Sequence, residues 1–285
     1  MRTTLALLAC CGFAAAGRAS ETPHNPELNS TALERAGADL EAPPPPPPHL
    51  VSCSGASADL EPAQCAYLQA QFMVWNMSRY GCKADDPCGC KPFGDDDIIK
   101  CEGGSGKNTT VTAIQFGDFD SYNTLKGTIG EDIGALTDLV TLDYCCNEIT
   151  GTIPDSITKL TKLQFLSLSD NYLRGAIPES IGDMQELRSI AIDRNYLTGT
   201  VPPSLGALTG TLKELNMQCN HFAGILPSID WANITYDPTS PTGRSYDCFL
   251  SPRPQQSCGA PFAPNEWACP LPQGAAQYCK AVCDA

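Results

Sequence analysis

Two carboxylates of this chain, Asp143 and Asp193, are the best placed to form a catalytic acid–base pair. The periodicity described below puts them two repeating units apart, about 10 Å by the spacing of neighbouring β-strands. Inverting glycosidases separate their carboxyl groups by a similar distance. A flat open sheet, however, offers no desolvated cleft that would shift the pKa of one carboxyl relative to the other. We therefore expect the protein not to be an enzyme.

Histidine and glycine patterns add neither a catalytic nor a cofactor site. His24 and His49 lie in a polar N-terminal stretch, and no nucleophile is evident beside His221. The sequence therefore indicates no Ser-His-Asp arrangement. The stretch Gly103-Gly104-Ser105-Gly106 does not open a helix after a strand, as a phosphate-binding loop does, and we interpret it as a turn. We expect no cofactor.

Cysteine and aspartate clusters fit metal sites poorly. Only one residue separates Cys88 from Cys90, whereas zinc-binding pairs are usually separated by two to four, and no histidine lies nearby. The run Asp95-Asp96-Asp97 lacks the alternating ligands and the glycine of an EF-hand calcium loop. We interpret the aspartates as a solvated loop and predict no metal site.

The first residues indicate the secretory route. Arg2 precedes an apolar stretch, residues 5–16, that suits a signal peptide and is too short to span a membrane. Cleavage after Ala19, or after Ala16, is predicted; the former leaves 14 of the 16 cysteines, an even number typical of disulfides in an oxidising compartment. Four sequons predict glycosylation at Asn29, Asn76, Asn108 and Asn233. We predict a secreted glycoprotein, free or associated with a cell wall or surface, with no later membrane span or GPI anchor.

Charge and proline content narrow the class of partner. The 285 residues include 18 Lys and Arg against 32 Asp and Glu, a formal charge of −14. Nucleic acid is excluded as a partner, because its binding depends on cations that neutralise phosphates.

The six prolines Pro43–Pro48 dominate residues 20–50, which hold too little apolar surface to fold, so we predict a disordered Pro-rich spacer.

The strongest pattern is an internal repeat over residues 111–227. It is marked by asparagines 24 or 25 residues apart: Asn123, Asn147, Asn171, Asn195 and Asn220. The three middle asparagines each open the phrase Asn-x-x-x-Gly-x-Ile/Val-Pro. An apolar spacing precedes each of them, as in Leu163-x-x-Leu166-x-Leu168. Agreement at so many positions is not a chance event.

Stacking of the units explains the repeat. One unit cannot cover its own apolar side, so successive units must stack and bury their Leu and Ile residues in a continuous core. The Leu-x-Leu piece predicts a short strand, parallel to its neighbours and about 4.8 Å from them. Each repeated Asn is expected to satisfy buried backbone groups, since its amide both donates and accepts. The spacing Ile157-x-x-Leu160 predicts a helical or 3₁₀ turn on the outer side.

These phrases resemble the plant-specific class of leucine-rich repeat, which occurs in extracellular receptor ectodomains and in polygalacturonase-inhibiting proteins. The resemblance covers residues 111–227, and Asp86-Pro87-Cys88 through Cys101 to Val111-Thr112 is similar to the cysteine-paired cap of that class. It implies an α/β fold: a right-handed solenoid with a parallel sheet on its concave face. It also implies non-catalytic recognition of an extracellular protein, a peptide or a cell-wall glycan.

Cysteine-rich segments are predicted to cap both ends of the stack and to cover its apolar ends and sheet edges. Residues 51–110 form the N-terminal cap, in which Leu68, Phe72 and Trp75 mark one face of a helix. Residues 228–285 are interpreted as a degenerate repeat, around Cys248 and Asn265, followed by a C-terminal cap.

Cys145, Cys146 and Cys219 fall within the repeats. Cys146 and Cys219 hold equivalent places three units apart, about 14 Å by strand spacing, which is beyond the reach of a disulfide. The sequence leaves two alternatives for Cys145 and Cys146: a disulfide between these neighbours, or two thiols. For Cys219 we suggest Cys258, in the next coil, as the partner.

The strand residues that alternate with the core define the predicted binding surface on the concave face. Its members are mostly polar and include no Lys or Arg: Thr141, Asp143, Phe165, Ser167, Ser169, Ser189, Asp193, Glu214, Asn216 and Gln218. We predict a solvated face that makes polar contacts to a basic protein patch or to sugar hydroxyls, with Phe165 as an exposed anchor. A second candidate surface lies one residue beyond each Asn, where we favour simple packing of the rings: Glu148, Tyr172, Tyr196 and His221.

Two classes of function fit these features. The favoured one is a soluble receptor-like or hydrolase-inhibitor-like protein that recognises an extracellular protein, peptide or glycan. The alternative is a structural or adhesive glycoprotein of a cell wall or surface coat, attached through the Pro-rich segment and its glycans.

Overall fold

The structure is a computed structural model and describes residues 52–90, 98–103, 109–117, 125–231, 234, 248–249 and 266–267. The predicted signal peptide and Pro-rich spacer, residues 1–50, lie outside the described residues.

The N-terminal cap is built around one α-helix, α1 (Pro62–Val74). Proline suits the first helical position, because its fixed φ is already helical and the N–H it lacks would have no partner there. Leu68, Phe72 and Trp75 are buried against the repeats, which confirms the predicted helix face. Three short 3₁₀ helices flank α1: Gly55–Ser57, Met77–Tyr80 and Pro87–Gly89.

Three disulfides hold this cap together: Cys53–Cys65, Cys82–Cys90 and Cys88–Cys101. The first ties the incoming chain to α1, and the third ties a 3₁₀ helix to the first strand of the sheet. The cysteine-rich cap predicted from the sequence is therefore confirmed at this end, and Cys88 and Cys90 serve as disulfide partners.

A seven-stranded sheet, called here the concave sheet, runs through the repeats in the order β1-β2-β4-β6-β8-β10-β12. Only the β1–β2 pair is antiparallel, and the remaining pairs are parallel. Its strands are β1 (Ile99–Glu102), β2 (Thr110–Gln115), β4 (Thr141–Asp143), β6 (Phe165–Ser167), β8 (Ser189–Ala191), β10 (Glu214–Asn216) and β12 (Cys248–Phe249). The parallel stacking predicted from the repeat is confirmed.

A second set of short strands, called here the lateral sheet, follows the ladder asparagines. The pair β3 (Lys126–Thr128) and β5 (Glu148–Thr150) is parallel. An isolated bridge from Thr152 to Arg174 leads to the four-stranded part, in the order β13-β11-β9-β7. Those strands are β7 (Arg174–Gly175), β9 (Tyr196–Gly199), β11 (His221–Gly224) and β13 (Glu266–Trp267).

The outer side of each coil is a 3₁₀ helix, as the spacing of Ile157 and Leu160 predicted. The four helices span Glu131–Ala135, Asp155–Lys159, Ile181–Asp183 and Pro203–Leu208. Between them and the concave sheet lies one continuous apolar core, in which Leu142, Leu166, Ile190 and Leu215 stack strand on strand.

The asparagine ladder connects the coils. Asn147, Asn171, Asn195 and Asn220 are buried, and each donates and accepts hydrogen bonds through its amide. The residue before each of them has a left-handed backbone with φ between 53° and 60°: Cys146, Asp170, Arg194 and Cys219. This turn aims the amide into the solenoid, which confirms the predicted role; Asn123 lies outside the described residues.

The C-terminal strands match the degenerate repeat expected there. β12 pairs with β10 in the concave sheet, and β13 pairs with β11 in the lateral sheet. The two halves of one coil are thus present, separated by residues outside the described part of the chain.

Candidate functional site

The concave face is not the solvated surface that we predicted. None of its ten predicted binding residues is more than 9% exposed, and Phe165, the expected exposed anchor, is 7% exposed. The expectation of exposure is therefore wrong. None of the ten residues belongs to the hydrophobic core, whereas the strand residues between them do: Leu142, Leu166, Ile190 and Leu215.

Contacts along the sheet account for part of this burial. The Asp143 carboxylate lies so close to Gly117 that a Cβ added there would be 2.6 Å from its oxygens, and it accepts the Cys145 N–H at 3.1 Å. One strand further on, the Ser169 hydroxyl donates to the Asp193 carboxylate across adjacent coils. Asp143 thus bonds within its own coil, whereas Ser169 and Asp193 join adjacent coils.

Several polar atoms of the concave face nevertheless have no hydrogen-bond partner among the residues that the structure describes. These are Ser167 Oγ, both polar side-chain atoms of Asn216, and Gln218 Oε1, all buried. Ser167 and Asn216 lie in register on either side of Ala191. A hydroxyl and a carboxamide thus flank one small residue and offer both donors and acceptors.

The structure does not bring Asp143 and Asp193 together as a catalytic pair. They belong to coils separated by β6, and Asp143 is in register with Ser167 and Ala191, two residues before Asp193. A cavity inside the solenoid has an entirely apolar lining, including Leu166, Ile190 and Met217. In the described ranges, no group of three or more His, Cys, Asp or Glu residues is placed to hold a metal ion.

The second candidate surface is the more exposed of the two. Tyr172 stacks on Tyr196 with ring centroids 6.1 Å apart, and Tyr196 stacks on His221 at 6.0 Å. The Arg174 guanidinium lies over the Tyr196 ring, 5.5 Å from its centroid. Tyr172 remains 39% exposed, so the packing that we favoured is present but leaves the ladder accessible. Partial burial raises the pKa of the Tyr196 phenol.

Sequence reasoning missed the Arg174–Tyr196 contact because it aligned equivalent positions of successive repeats. The lateral strands are staggered, so Arg174 pairs with Tyr196, and Lys126 pairs with Glu148. Lys126 forms an ion pair with Glu148 at 2.9 Å through the same stagger. Each of these pairs is 22 residues apart in the sequence, so comparing residues at that spacing, and not only at 24, would have revealed both contacts.

Cys145 and Cys146 are thiols, so the vicinal bond left open above does not form. Cys219 is disulfide-bonded, and it is not bonded to Cys146, in agreement with the expected separation. Its suggested partner, Cys258, lies outside the described residues.

Among the sequons, Asn76 lies in the described part of the chain. Its side chain is exposed, its φ is 52°, and Ser78 Oγ donates to Asn76 Oδ1 at 3.1 Å. The glycosylation predicted at Asn29, Asn108 and Asn233 concerns residues outside the described ranges.

Comparison with known proteins shows that this architecture is similar to that of leucine-rich-repeat proteins. Residues 137–197 match the family model described as Leucine rich repeat. The LRR ectodomain of the receptor kinase GASSHO1/SCHENGEN3 from Arabidopsis thaliana, solved with CASPARIAN STRIP INTEGRITY FACTOR 2, is 24% identical with a TM-score of 0.51. That match covers 73% of this chain and 22% of the other. No curated protein matches the chain.

A second receptor-kinase structure is also similar. The LRR ectodomain of SOBIR1 from Arabidopsis thaliana is 24% identical, covers 60% of this chain and 86% of its own, and has a TM-score of 0.48. The repeat, the two sheets and the capping disulfides define a leucine-rich-repeat solenoid. Its Asn-x-Leu-x-Gly-x-Ile-Pro phrases are similar to those of the plant-type class, and the match to the Leucine rich repeat model covers residues 137–197. Within the described residues, no helix has the length and apolar character of a membrane span.

Proposed function

We propose that this is a secreted, non-enzymatic protein that recognises an extracellular protein, peptide or cell-wall glycan through its concave face. The observation that carries the proposal is the row of buried polar atoms at Ser167, Asn216 and Gln218, which have no hydrogen-bond partner within the described part of the chain. Each such atom costs on the order of 1–3 kcal/mol when it is left without a hydrogen bond. A ligand that donates and accepts there recovers that free energy, so the face favours hydrogen-bonding partners.

Charge supports a basic or hydroxyl-rich partner. Asp143, Asp193 and Glu214 contribute carboxylates to the concave face, and its predicted binding residues include no Lys or Arg. Complementary charge favours correct partners and suppresses acidic ones. Because these residues are buried, recognition includes a step that opens the face, and association is slower than for a preformed surface.

The fold is suited to this role. Short strands at a fixed spacing present side chains in rows, and solenoids use such extended surfaces for binding. The GASSHO1/SCHENGEN3 ectodomain was solved in complex with a partner factor, and polygalacturonase-inhibiting proteins share the plant-type phrase. We extend this use of the fold to the present chain, as a receptor-like or hydrolase-inhibitor-like protein.

The test uses the mature protein on a biosensor, with a cationic secreted polygalacturonase and a lysine-rich peptide as probes. Asp193→Lys and Phe165→Ala should each weaken binding by about tenfold or more, equivalent to about 1.4 kcal/mol. Asp183→Lys makes the same charge change at an exposed 3₁₀ position and is the matched control. Equal losses in Asp193→Lys and Asp183→Lys would show that net charge, not the concave face, governs binding.

The adhesive alternative gives a different result in the same assay. Binding of wall material that survives Asp193→Lys but disappears when residues 20–50 are deleted would assign attachment to the Pro-rich segment.

A further inference from the structure

The outward face of the lateral sheet has a composition unlike the rest of this acidic chain. It is formed by nine residues of β7, β9, β11 and their flanks, called here the lateral patch: Tyr172, Arg174, Ala176, Tyr196, Thr198, Thr200, His221, Ala223 and Ile225. The residues that alternate with them, Leu173, Leu197 and Phe222, are buried in the core. Eight of the nine are exposed and Tyr196 is half-buried.

The lateral patch contains no carboxylate, although Asp and Glu outnumber Lys and Arg by 32 to 18 in the whole chain. At one end the ladder continues to Glu148, which is ion-paired with Lys126. At the other end β13 brings Glu266 into register with Ala223. Arg174 is exposed and forms no ion pair with any described residue. The patch is therefore a local cationic and neutral region.

The ring geometry determines which chemical groups the patch can attract. Tyr172 and His221 stack on Tyr196 with interplanar angles of 19° and 16°. Both faces of the Tyr196 ring are thus turned towards its neighbours, so a sugar ring has no free face there on which to stack. Aromatic ring edges carry the positive end of the quadrupole. Together with the phenol, imidazole and guanidinium groups, they form a surface that favours anionic acceptors.

An exposed apolar side chain adjoins these polar groups. Ile225, directly after β11, is 73% exposed, far more than the other large apolar residues of the described chain, and Ala223 lies two residues before it. Interfaces are enriched in Tyr and Arg around apolar anchors and depleted in Asp, Glu and Lys, which is the composition found here.

We propose that the lateral patch is a second docking surface, independent of the concave face, and that it binds an acidic polypeptide segment in which carboxylates alternate with an apolar side chain. Arg174, held by its contact with Tyr196, pairs with a carboxylate, and the apolar side chain packs on Ile225 and Ala223. Charge complementarity supports this partner: a chain with a formal charge of −14 repels acidic ligands overall, whereas the lateral patch offers Arg174 and no carboxylate.

The probe is a fluorescein-labelled peptide of three Asp-Leu-Asp-Gly units, with an Asn-Leu-Asn-Gly counterpart of the same length. Anisotropy titration of the mature protein should show saturable binding of the Asp peptide, weakened at about 0.15 M salt because the charges are then screened. Arg174→Glu should lower the affinity by about tenfold or more, and Ile225→Ser by about threefold. Arg188→Glu and Met73→Ser, at exposed sites away from the patch, are the matched controls and should stay within about twofold.

Several outcomes would overturn the proposal. If the Asn peptide binds as tightly as the Asp peptide, carboxylates play no part in the binding. If Arg188→Glu lowers the affinity as much as Arg174→Glu does, the effect is one of net charge and not of the lateral patch. Absence of any saturable binding by the Asp peptide also overturns it. Competition by oligogalacturonate with the same dependence on Arg174 would reassign the patch to an anionic glycan. Circular dichroism of Arg174→Gln and Arg174→Glu separates lost binding from lost folding, and Asp193→Lys, which tests the concave face, should leave this peptide bound.

Discussion

The side-chain amide of Asn171 donates to the carbonyl oxygen of Tyr144, 2.8 Å away in the preceding coil. Its Oδ1 accepts the N–H of Ile149 at 3.0 Å, and its Nδ2 is also 3.1 Å from the carbonyl oxygens of Leu168 and Ser169. One carboxamide thus joins two turns of the solenoid, and Asn195 repeats the arrangement one coil later with Leu168 and Leu173.

Replacement of this amide should be strongly destabilising. Asn171→Ala removes the acceptor of the buried Ile149 N–H and one of the two amide donors to the Tyr144 carbonyl, the other being Asn147, and we expect the free energy of unfolding to fall by about 3 kcal/mol or more. Urea denaturation followed by circular dichroism measures the loss. Asn171→Asp should be no milder, because a carboxylate cannot donate to carbonyl oxygens and is costly to bury.

Thr161→Ala, at an exposed turn position, is the control and should change stability by less than about 0.5 kcal/mol. A loss in Asn171→Ala no larger than that of Thr161→Ala would contradict the clamping role of the ladder.

Coil-to-coil packing on the outer side makes a second prediction. A Cβ added to Gly182 would lie 2.1 Å from the Ser204 carbonyl oxygen, one added to Gly134 would lie 2.7 Å from that of Ser156, and one added to Gly206 would lie 3.1 Å from that of Ser228. None of the three glycines has a left-handed φ, so the steric contact dominates. Alanine substitutions should destabilise in the order Gly182, Gly134, Gly206, with about 1–3 kcal/mol or more for the first.

Thermal unfolding of the three alanine variants measures this order. Because alanine is intrinsically favoured over glycine, Gly206→Ala sets the lower end of the series. If Gly182→Ala is as stable as Gly206→Ala, the prediction is wrong, because adjacent coils can then move apart to admit a Cβ without a loss of folding free energy.

The repeat predicted the stacking, the strands and the asparagine ladder because these depend on residues that recur every coil. Leu166, Ile190 and Leu215 must share one core whichever side chains lie between them. The burial of Phe165 was not predictable in this way, because the exposed fraction of its side chain depends on what packs above the sheet and not on the repeat itself.

The lateral patch shows the same limit. Tyr172, Tyr196 and His221 were recognisable as a column from the sequence, but the pairing of Arg174 with Tyr196 results from the stagger between coils. The repeat aligns residues 24 apart, whereas this stagger brings together residues 22 apart.

Two buried tyrosines at the junction of the cap and the repeats predict a loss of stability at alkaline pH. Burial raises the pKa of the Tyr67 and Tyr144 phenols above the ordinary value. The unfolded chain therefore releases these protons first, so the stabilisation is complete below about pH 10 and declines as the pH rises above that value. Each phenol contributes a slope of up to about 1.4 kcal/mol per pH unit in this range.

Urea midpoints between pH 7 and 11 measure the effect. Tyr67→Phe combined with Tyr144→Phe should flatten the alkaline decline, whereas Tyr172→Phe on the exposed ladder should not. At pH 7 the double substitution should cost little, because it removes the two interacting phenol hydroxyls together and leaves neither buried without the other. An unchanged alkaline decline in the double variant would assign the pH dependence to other groups.

The Asn76 sequon makes the last prediction, which bears on the secretory route. Asn76 is exposed after α1, and the hydroxyl of Ser78 donates to its Oδ1, so both residues of the acceptor motif are accessible on one turn. Protein secreted from eukaryotic cells should carry a glycan there, detected as a mass shift that peptide N-glycosidase removes. Ser78→Ala should abolish the shift at Asn76, whereas Ser78→Thr, which keeps the hydroxyl, should retain it. A secreted protein whose Asn76 is unmodified while Ser78 is intact would show that this turn is closed to glycosylation, and the glycan of the adhesive alternative would then have to lie elsewhere.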